Sequence, residues 1–335
     1  MTAGRMIDAA RWLRRPGADD DKYRRGVLGV RTGAPEYPGA AVLSVTAAWR
    51  TGVGLLRYVP PASIAPRELG LPTPAAAVLA VRPETVFGAS ERPCDAWLIG
   101  SGTNPATRTP AETEQLAELL CGTSPVVVDA GALDRVGVPP HRAGAAHTER
   151  APLLLTPHAG EFARLWEAAG LGPVPAEIRA PDAVAVAVRA DATARLASTL
   201  GATVLLKGSV SVCASPETPP LTAGPASPWL ATAGTGDVLA GILGALIASH
   251  AAAVREHPAL LSELGIAGAL LHDRAARIAV GELPERPAGP GPSGEAAPGH
   301  PITALDVAEA IPAAFAQLAS ATGGKRPARG AAATR

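Results

Sequence analysis

The sequence has few aromatic residues, few cysteines and no excess of either charge. Phe, Trp and Tyr make up 3% of its 335 residues, and 30 basic residues balance 30 acidic ones. A protein whose main partner is nucleic acid needs a basic surface, so the zero net charge argues against that function. Cys94, Cys121 and Cys213 form no Cys-x-x-Cys pair, which argues against a zinc site and a disulfide framework. A reducing cytoplasm suits such a chain.

Long apolar segments are also lacking. Residues 1–25 contain no apolar run of the kind found in a signal peptide. The longest apolar helix candidate, residues 238–248, is shorter than the roughly 20 residues that a membrane-spanning helix needs. We therefore expect neither a membrane nor nucleic acid among the partners. The length of 335 residues is enough for one large α/β domain or two smaller ones, and the hydrophobic share of 47% is enough for a sizeable core.

Short apolar runs alternate with helical segments along most of the chain. This pattern predicts an α/β fold with a mostly parallel central sheet and helices on both faces. We predict strands at residues 26–30, 54–59, 76–81, 96–99, 125–129, 153–156, 203–206 and 210–214. We predict helices at residues 39–51, 109–120, 162–168, 183–200, 238–254, 260–280 and 303–318. On the second of these helices, Glu112, Glu114 and Glu118 are expected to face solvent.

The chain divides into one large unit with an extension at each end. Residues 1–20 form an N-terminal extension, and residues 21–320 form the domain itself. Within the domain, residues 283–300 are rich in proline and glycine and are predicted to be a loop. Residues 321–335 are predicted to be a disordered basic tail.

Polar clusters follow four of the predicted strands. They are Gly100-Ser101-Gly102, Asp129, residues 156–161 and residues 207–211. Ligands of open α/β sheets bind beyond the carboxyl ends of the strands. Each cluster alone is equally consistent with a cap, a turn or a solvated charge. Together they predict one edge of the sheet that handles a phosphorylated ligand.

A glycine-rich turn, Gly234-Thr235-Gly236-Asp237, leads into the most apolar helix. Glycine permits positive φ and close approach of a ligand to the backbone. The free N–H groups at the start of the helix, together with the helix dipole, favour an anion. Asp237 could cap this helix or accept a proton from a hydroxyl that attacks a phosphate.

Four stretches, in this order and spacing, resemble one family. They are DKYRRGVLGVRTGAPEYPGAAVLSVTAAWRTGVGLLRYV, LLLTPHAGEFARL, VLLKGSVSVCASP and LATAGTGDVLAGILGAL. The chain resembles the ADP-dependent NAD(P)H-hydrate dehydratases, which have a ribokinase-like fold. The resemblance implies a lyase that repairs hydrated NADH or NADPH. ADP would phosphorylate the ring hydroxyl of the S epimer, releasing AMP, and loss of phosphate would restore the dihydronicotinamide.

The resemblance also implies a role for individual residues. Asp237 matches the catalytic aspartate, which acts as general base toward the substrate hydroxyl and also contacts the substrate. The anion hole matches Gly234, Thr235 and Gly236. Contacts to the hydrate match Ala40, Gly102 and His158. Contacts to the adenine nucleotide match Lys207, Gly208, Ser209, Val210, Ser211 and Gly236.

Two departures from the family pattern stand out. Ser101 lies where the family commonly has the proline of a Gly-Pro-Gly turn, which leaves the shape of this pocket wall open. Val210 and Ser211 lie where Gly-Thr is frequent, a change that backbone contacts to the nucleotide should tolerate.

The resemblance further implies Mg²⁺, ADP as co-substrate and a homotetramer. Asp129 and Glu161 are candidate Mg²⁺ ligands, although either could instead hold a neighbouring turn. Many bacterial relatives carry an N-terminal epimerase domain. Only about twenty residues precede Asp21, so we expect the epimerase to be a separate protein in the same pathway.

Two other functions remain open. One is a ribokinase-like kinase that uses ATP on a vitamin precursor or a sugar. Residues 37–40 and 156–161 favour the dehydratase over it. The other is a nucleotide-binding regulator or scaffold without catalysis, and the presence of both Asp237 and Lys207 argues against that function.

Overall fold

The computed structural model describes residues 8–64, 70–137, 151–179, 182–283 and 299–320. The predictions for the extension before residue 8, for most of the 283–300 loop and for the 321–335 tail lie outside these residues. The described strands are β1 Val27–Arg31, β2 Leu55–Tyr58, β3 Val86–Phe87, β4 Ala96–Ile99, β5 Val126–Val128, β6 Leu153–Leu155, β7 Thr203–Leu206, β8 Ser211–Ala214 and β9 Leu221–Ala223.

All nine strands belong to one sheet in the order β3-β2-β1-β4-β5-β6-β7-β8-β9. The strands from β3 to β7 in this order pair in parallel. The two remaining pairs, β7 with β8 and β8 with β9, are antiparallel. The prediction of a mostly parallel sheet is therefore confirmed. Both strands that sequence analysis missed, β3 and β9, lie at the edges of the sheet. They have two and three residues, too few for the alternation of apolar and polar residues to identify a strand.

Helices cover both faces of the sheet, as predicted. They are α1 Pro38–Thr51, α2 Pro74–Val81, α3 Pro110–Leu120, α4 Ala159–Ala168, α5 Asp182–Leu200, α6 Thr235–Ser249, α7 Ala251–Glu256, α8 Leu260–Ala279 and α9 Ala304–Ser320. Successive strand residues point to opposite faces. Leu98 of β4 accordingly joins a core with α1, α6, α8 and α9, while its neighbour Ile99 joins a second core with α3, α4 and α5.

One strand prediction and one helix prediction need correction. Residues 76–81 form part of α2 and are not a strand, because Thr73 caps the N-terminus by accepting from the Ala76 amide at 3.2 Å and Pro74 starts the first turn. The single helix predicted for 238–254 is two helices, α6 and α7. The break is at His250, whose ring Nδ1 lies 2.8 Å from the Leu246 carbonyl oxygen that the His250 amide would otherwise use.

The expectation that Glu112 faces solvent is wrong. Glu112 is 4% exposed and pairs with Arg31, which is equally buried. The Arg31 Nε donates to Glu112 Oε1 at 3.2 Å, a second guanidinium nitrogen donates to Oε2, and the Ala62 amide donates to Oε2 at 2.9 Å. Glu114 and Glu118 are exposed, as predicted. The pair ties α3 to the carboxyl end of β1.

Within the described residues, no helix combines the length and the apolar character that crossing a bilayer would require.

We expect Glu112→Ala to lower the free energy of unfolding by about 3–5 kcal/mol, because it leaves the Arg31 guanidinium buried without its carboxylate. Glu114→Ala on the same helix is the matched control. Its side chain is exposed, so the change should stay within about 0.5 kcal/mol. Denaturant unfolding of both variants measures the difference. Equal effects would show that the Arg31–Glu112 pair does not stabilise the fold.

Candidate active site

The polar clusters predicted at strand ends lie along one edge of the sheet. Parallel pairing puts the carboxyl ends of β1, β4, β5, β6 and β7 at the same edge. Gly100 follows β4, Asp129 follows β5, Thr156 follows β6 and Lys207 follows β7. The N-terminus of α6 reaches the same edge, because Asp237 in its first turn accepts a hydrogen bond from the residue after Gly100, Ser101.

The turn before α6 presents free backbone amides. Gly234 has a φ of 89°, a left-handed conformation that favours glycine. In the described part of the chain the amides of Gly234, Gly236 and Asp237 have no backbone acceptor, whereas the Thr235 amide donates to the Thr232 carbonyl at 3.3 Å. The Thr235 hydroxyl donates to the carbonyls of Leu230 and Thr232 at 2.8 and 2.9 Å. These bonds hold the turn, and the free amides with the helix dipole form a site for an anion.

A buried histidine lies behind this turn. The His272 ring of α8 lies near the backbone of Thr235, and its Nε2 has no hydrogen-bond partner among the described residues. Burial lowers the pKa of His272 to about 4; the Thr235 backbone opposes this shift and the Lys207 charge adds to it. His272 is therefore neutral at physiological pH. Sequence analysis did not identify it, because a lone histidine in an apolar helix carries no local signal for such a contact.

Asp237 is the carboxylate at the centre of the edge. Burial raises its pKa above the ordinary aspartate value, and the negative charge of Asp129 adds to the shift. The hydrogen bond from Ser101 and the positive charge of Lys207 act in the opposite direction without cancelling it. A partly buried carboxylate with a raised pKa is a better proton acceptor than an exposed aspartate.

Lys207 is held beside the anion site by Asp129. Its Nζ lies 2.8 Å from Asp129 Oδ1, which also accepts from the Thr156 hydroxyl at 2.6 Å. Burial alone would lower the pKa of Lys207, but the carboxylates of Asp129, Glu161 and Asp237 outweigh it and the pKa is raised. Lys207 therefore remains charged. A Cβ atom on Gly236 would lie 3.8 Å from this Nζ, so the ammonium group reaches the first turn of α6.

Two of the residues predicted to contact the hydrate touch each other. Gly102 has a φ of 63°, and a Cβ there would overlap the Cβ of Ala40 in the first turn of α1. The same Cβ would lie 3.5 Å from Gly33 Cα. The turn after β4 thus packs directly on the start of α1. Only small residues allow this approach, which explains glycine at one position and alanine at the other.

His158, the third predicted hydrate contact, caps α4. Its Nδ1 accepts from the amides of Gly160 and Glu161 at 3.0 and 3.4 Å, and its own amide donates to Glu161 Oε2 at 2.9 Å. Because Nδ1 is an acceptor, the neutral ring carries its hydrogen on Nε2. The side chain is 58% exposed, and its Nε2 lies 3.4 Å from Glu161 Oε1.

The predicted nucleotide segment follows Lys207 and connects β7 to β8. Gly208 and Ser209 are exposed, and the Ser209 carbonyl accepts from the Ala226 amide at 2.8 Å. Val210 is partly buried, and Ser211 is a buried residue of β8. The exposed backbone of this segment therefore begins directly after Lys207.

The two candidate magnesium ligands are engaged in other contacts. Asp129 binds Lys207 and Thr156, and Glu161 completes the capping box with His158. Among the residues that the structure describes, no three His, Cys, Asp or Glu side chains cluster as a metal site would require.

A family model described as NAD(P)H-hydrate dehydratase matches residues 28–283. The chain is 39% identical over 246 residues to the bifunctional NAD(P)H-hydrate repair enzyme Nnr of Mycobacterium tuberculosis, covering 72% of this chain but only 44% of that protein. It is 34% identical over 239 residues to the ADP-dependent (S)-NAD(P)H-hydrate dehydratase of Xanthomonas campestris, covering 68% of this chain and 74% of that protein. It thus spans less than half the length of the first of these curated relatives.

Solved structures share the fold. The ADP/ATP-dependent NAD(P)H-hydrate dehydratase of Bacillus subtilis, co-crystallised with ATP and Mg²⁺, superposes with a TM-score of 0.65 at 23% identity, covering 92% of this chain and 96% of that one. A ribokinase-like superfamily protein of Enterococcus faecalis superposes with a TM-score of 0.63 at 19% identity, covering 92% and 95%. The predicted ribokinase-like fold is confirmed.

We expect Asp237→Asn to raise the thermal midpoint at pH 7. An acid whose pKa is raised on folding binds its proton more tightly in the folded state, so it destabilises the fold at any pH where it is ionised. Asp306→Asn is the matched control. The Thr303 amide and hydroxyl lower the pKa of Asp306, so this carboxylate stabilises the fold once ionised and its loss should lower the midpoint. Calorimetry that showed shifts of the same sign would contradict the expectation.

Proposed function

The chain belongs to the NAD(P)H-hydrate dehydratase family, and from that premise we propose that it dehydrates the S epimer of NADH hydrate and NADPH hydrate with ADP. The observation that carries the proposal is one cluster at the sheet edge. It combines a carboxylate of raised pKa, Asp237, with the free amides of the α6 N-terminus and the charged Lys207. These groups are a general base, an anion site and a phosphate-binding cation.

The reaction needs one proton acceptor and one site for a transferring phosphoryl group. Asp237 takes the proton of the ring hydroxyl, whose oxygen attacks the β-phosphorus of ADP while the bond to the bridging oxygen breaks and AMP leaves. The carbon–oxygen bond of the phosphate ester then breaks, and inorganic phosphate leaves with the electron pair. Loss of a proton from the neighbouring ring carbon forms the double bond of the dihydronicotinamide.

The chain supplies stabilisation where charge develops. The amides of Gly234, Gly236 and Asp237 and the dipole of α6 face the phosphoryl oxygens, which is the proposed anion hole. Thr235, the third residue of the predicted anion hole, contributes through its hydroxyl, which holds the turn. Lys207 meets the phosphates as a charge whose position Asp129 sets.

The remaining assignments follow the resemblance and the geometry together. Ala40, Gly102 and His158 contact the hydrate, and Gly102 and Ala40 lie against each other at the wall of the pocket. Lys207 and residues 208–211 contact the adenine nucleotide. Mg²⁺ is proposed to bind on the ADP phosphates, where it neutralises their charge.

The proposal extends to partners and location. The S epimer is half of a hydrate mixture, so a separate epimerase is the expected partner for complete repair. We further propose a homotetramer and the cytoplasm, where reduced thiols such as those of buried Cys94 and Cys213 persist.

A coupled assay tests this function. Purified protein, Mg²⁺ and chemically hydrated NADPH are mixed with ADP or with ATP, and absorbance of the restored dihydronicotinamide is followed. We expect recovery with ADP that stops when about half of the epimer mixture remains, because the R epimer is not a substrate. Recovery only with ATP would keep the dehydration and overturn ADP as co-substrate. No recovery with either nucleotide, despite nucleotide binding, would favour the kinase or the regulator.

Two substitutions test the general base and the nucleotide contact independently. Asp237→Asn should reduce turnover about 10²–10⁴-fold with ADP affinity retained, because it removes the proton acceptor but no phosphate contact. Lys207→Ala should instead weaken ADP binding, because it removes the cation beside the anion site. Calorimetric ADP titrations and initial rates measure both effects. Normal turnover in the first variant or unchanged affinity in the second would contradict the corresponding role.

A further inference from the structure

Ser101 occupies a rigid turn between β4 and the active-site edge. Gly100 and Gly102 on either side have φ values of 93° and 63°, and Ser101 itself is fully buried. Its carbonyl accepts from the Gly33 amide at 2.8 Å. The Gly100 carbonyl accepts from the Thr103 amide at 3.1 Å and from the Thr103 hydroxyl at 2.8 Å. The backbone on both sides of Ser101 is therefore fixed, and so is the position of its Cβ.

The Ser101 hydroxyl donates a hydrogen bond to Oδ1 of Asp237, which lies 136 residues later in the sequence. In the described part of the chain, Asp237 Oδ2 has no hydrogen-bond donor. The two carboxylate oxygens are thus unequal. One is held by a buried hydroxyl on an immobile turn, and the other is free to accept a proton.

We propose that Ser101 is a positioning residue for the general base: its hydroxyl holds Oδ1 of Asp237 so that Oδ2 takes the proton of the substrate hydroxyl. This inference rests on the proposed function, because it assumes that Asp237 is the base. Ser101 does not itself exchange the reacting proton. It acts through the orientation and the charge of Asp237.

Charge around Asp237 gives the hydrogen bond a second effect. Asp129 after β5 faces the carboxylate with a negative charge, and Lys207 after β7 faces it with a positive one. Burial and Asp129 favour the protonated form of Asp237, which cannot act as a base. The Ser101 hydroxyl favours the ionised form because it donates to it. Loss of the hydroxyl should therefore raise the pKa of Asp237 further and leave less base at a given pH.

The proposed role is specific to a hydroxyl at this position. The turn expected from the resemblance has proline here, and proline offers no donor. The Ser101 amide has no backbone acceptor in the described residues, so its loss in a proline variant breaks no backbone hydrogen bond. Ser101→Pro therefore removes the hydroxyl while keeping a rigid turn, and Ser101→Ala removes it alone.

The contact can be tested without any assay of activity. Aspartate carboxyl carbons labelled with ¹³C are titrated by NMR in the full chain, and the Asp237 signal is identified by its absence in Asp237→Asn. We expect the midpoint of this signal to move to higher pH in both Ser101 variants. Thr107→Ala is the matched control, because its hydroxyl donates to the Asn104 carbonyl at 3.3 Å and not to Asp237 or to residues 100–103, and the Asp237 midpoint should stay unchanged. An unchanged midpoint in Ser101→Ala overturns the proposal, whatever reaction the protein catalyses.

The pH dependence of turnover then tests the role in catalysis. With Ser101→Ala, we expect kcat to fall about ten-fold, the size typical of a lost hydrogen bond to a charged group, with KM for ADP unchanged. The acid limb of the profile of kcat against pH should move to higher pH, together with the NMR midpoint of Asp237. Ser101→Pro should behave like Ser101→Ala. If it behaves like the wild type, the turn and not the hydroxyl matters, and the proposal is wrong.

A wild-type chain without turnover would reject the proposed function, while the NMR result would still decide whether Ser101 contacts Asp237.

Discussion

The position of α6 is the constraint on which the rest of the site depends. Twelve of its fifteen residues are buried, so this helix is apolar all round and lies inside the molecule. It can lie there because Gly241 allows it to touch the backbone of α1 at Ser44, and Gly244 allows it to touch Leu28 of β1. Burial of the helix carries its polar first turn to the sheet edge. The anion site and the carboxylate of Asp237 therefore take their positions from the packing of the apolar part of α6.

The charged groups of Asp129, Lys207 and Asp237 lie close together at that edge, and they affect one another's protonation. Asp129 holds Lys207 in place and keeps it protonated, yet the same negative charge makes ionisation of Asp237 harder. Lys207 and Ser101 offset this effect on Asp237. Such couplings are strong because little water screens them. The proposed phosphoryl transfer would depend on this arrangement, because positioning and preorganised charge provide most of the catalysis in such reactions.

Much of the fold and part of the site followed from the sequence. The apolar runs of β1, β4, β5, β6 and β7 are local features, and so is the turn Gly234-Thr235-Gly236-Asp237, because steric limits on φ make glycine informative there. The short edge strands were missed and α2 was predicted as a strand, because segments this short do not show a periodicity that distinguishes a strand from a helix. Glu112 was misplaced for another reason. Its spacing on α3 is that of a solvent-facing residue, and only its long-range partner Arg31 explains its burial.

The sequence by itself determined the alternation of the central strands with helices, the edge at which polar residues collect and the identity of the carboxylate at the start of α6. These depend on hydrophobic periodicity and on backbone conformations that neighbouring residues set. The tertiary structure alone decided which groups meet: Ser101 with Asp237, Asp129 with Lys207, and His272 with the turn at Thr235. These partners lie between about 40 and 140 residues apart in the chain. Contacts across such distances form only when the helices and strands pack, so no local pattern can predict them.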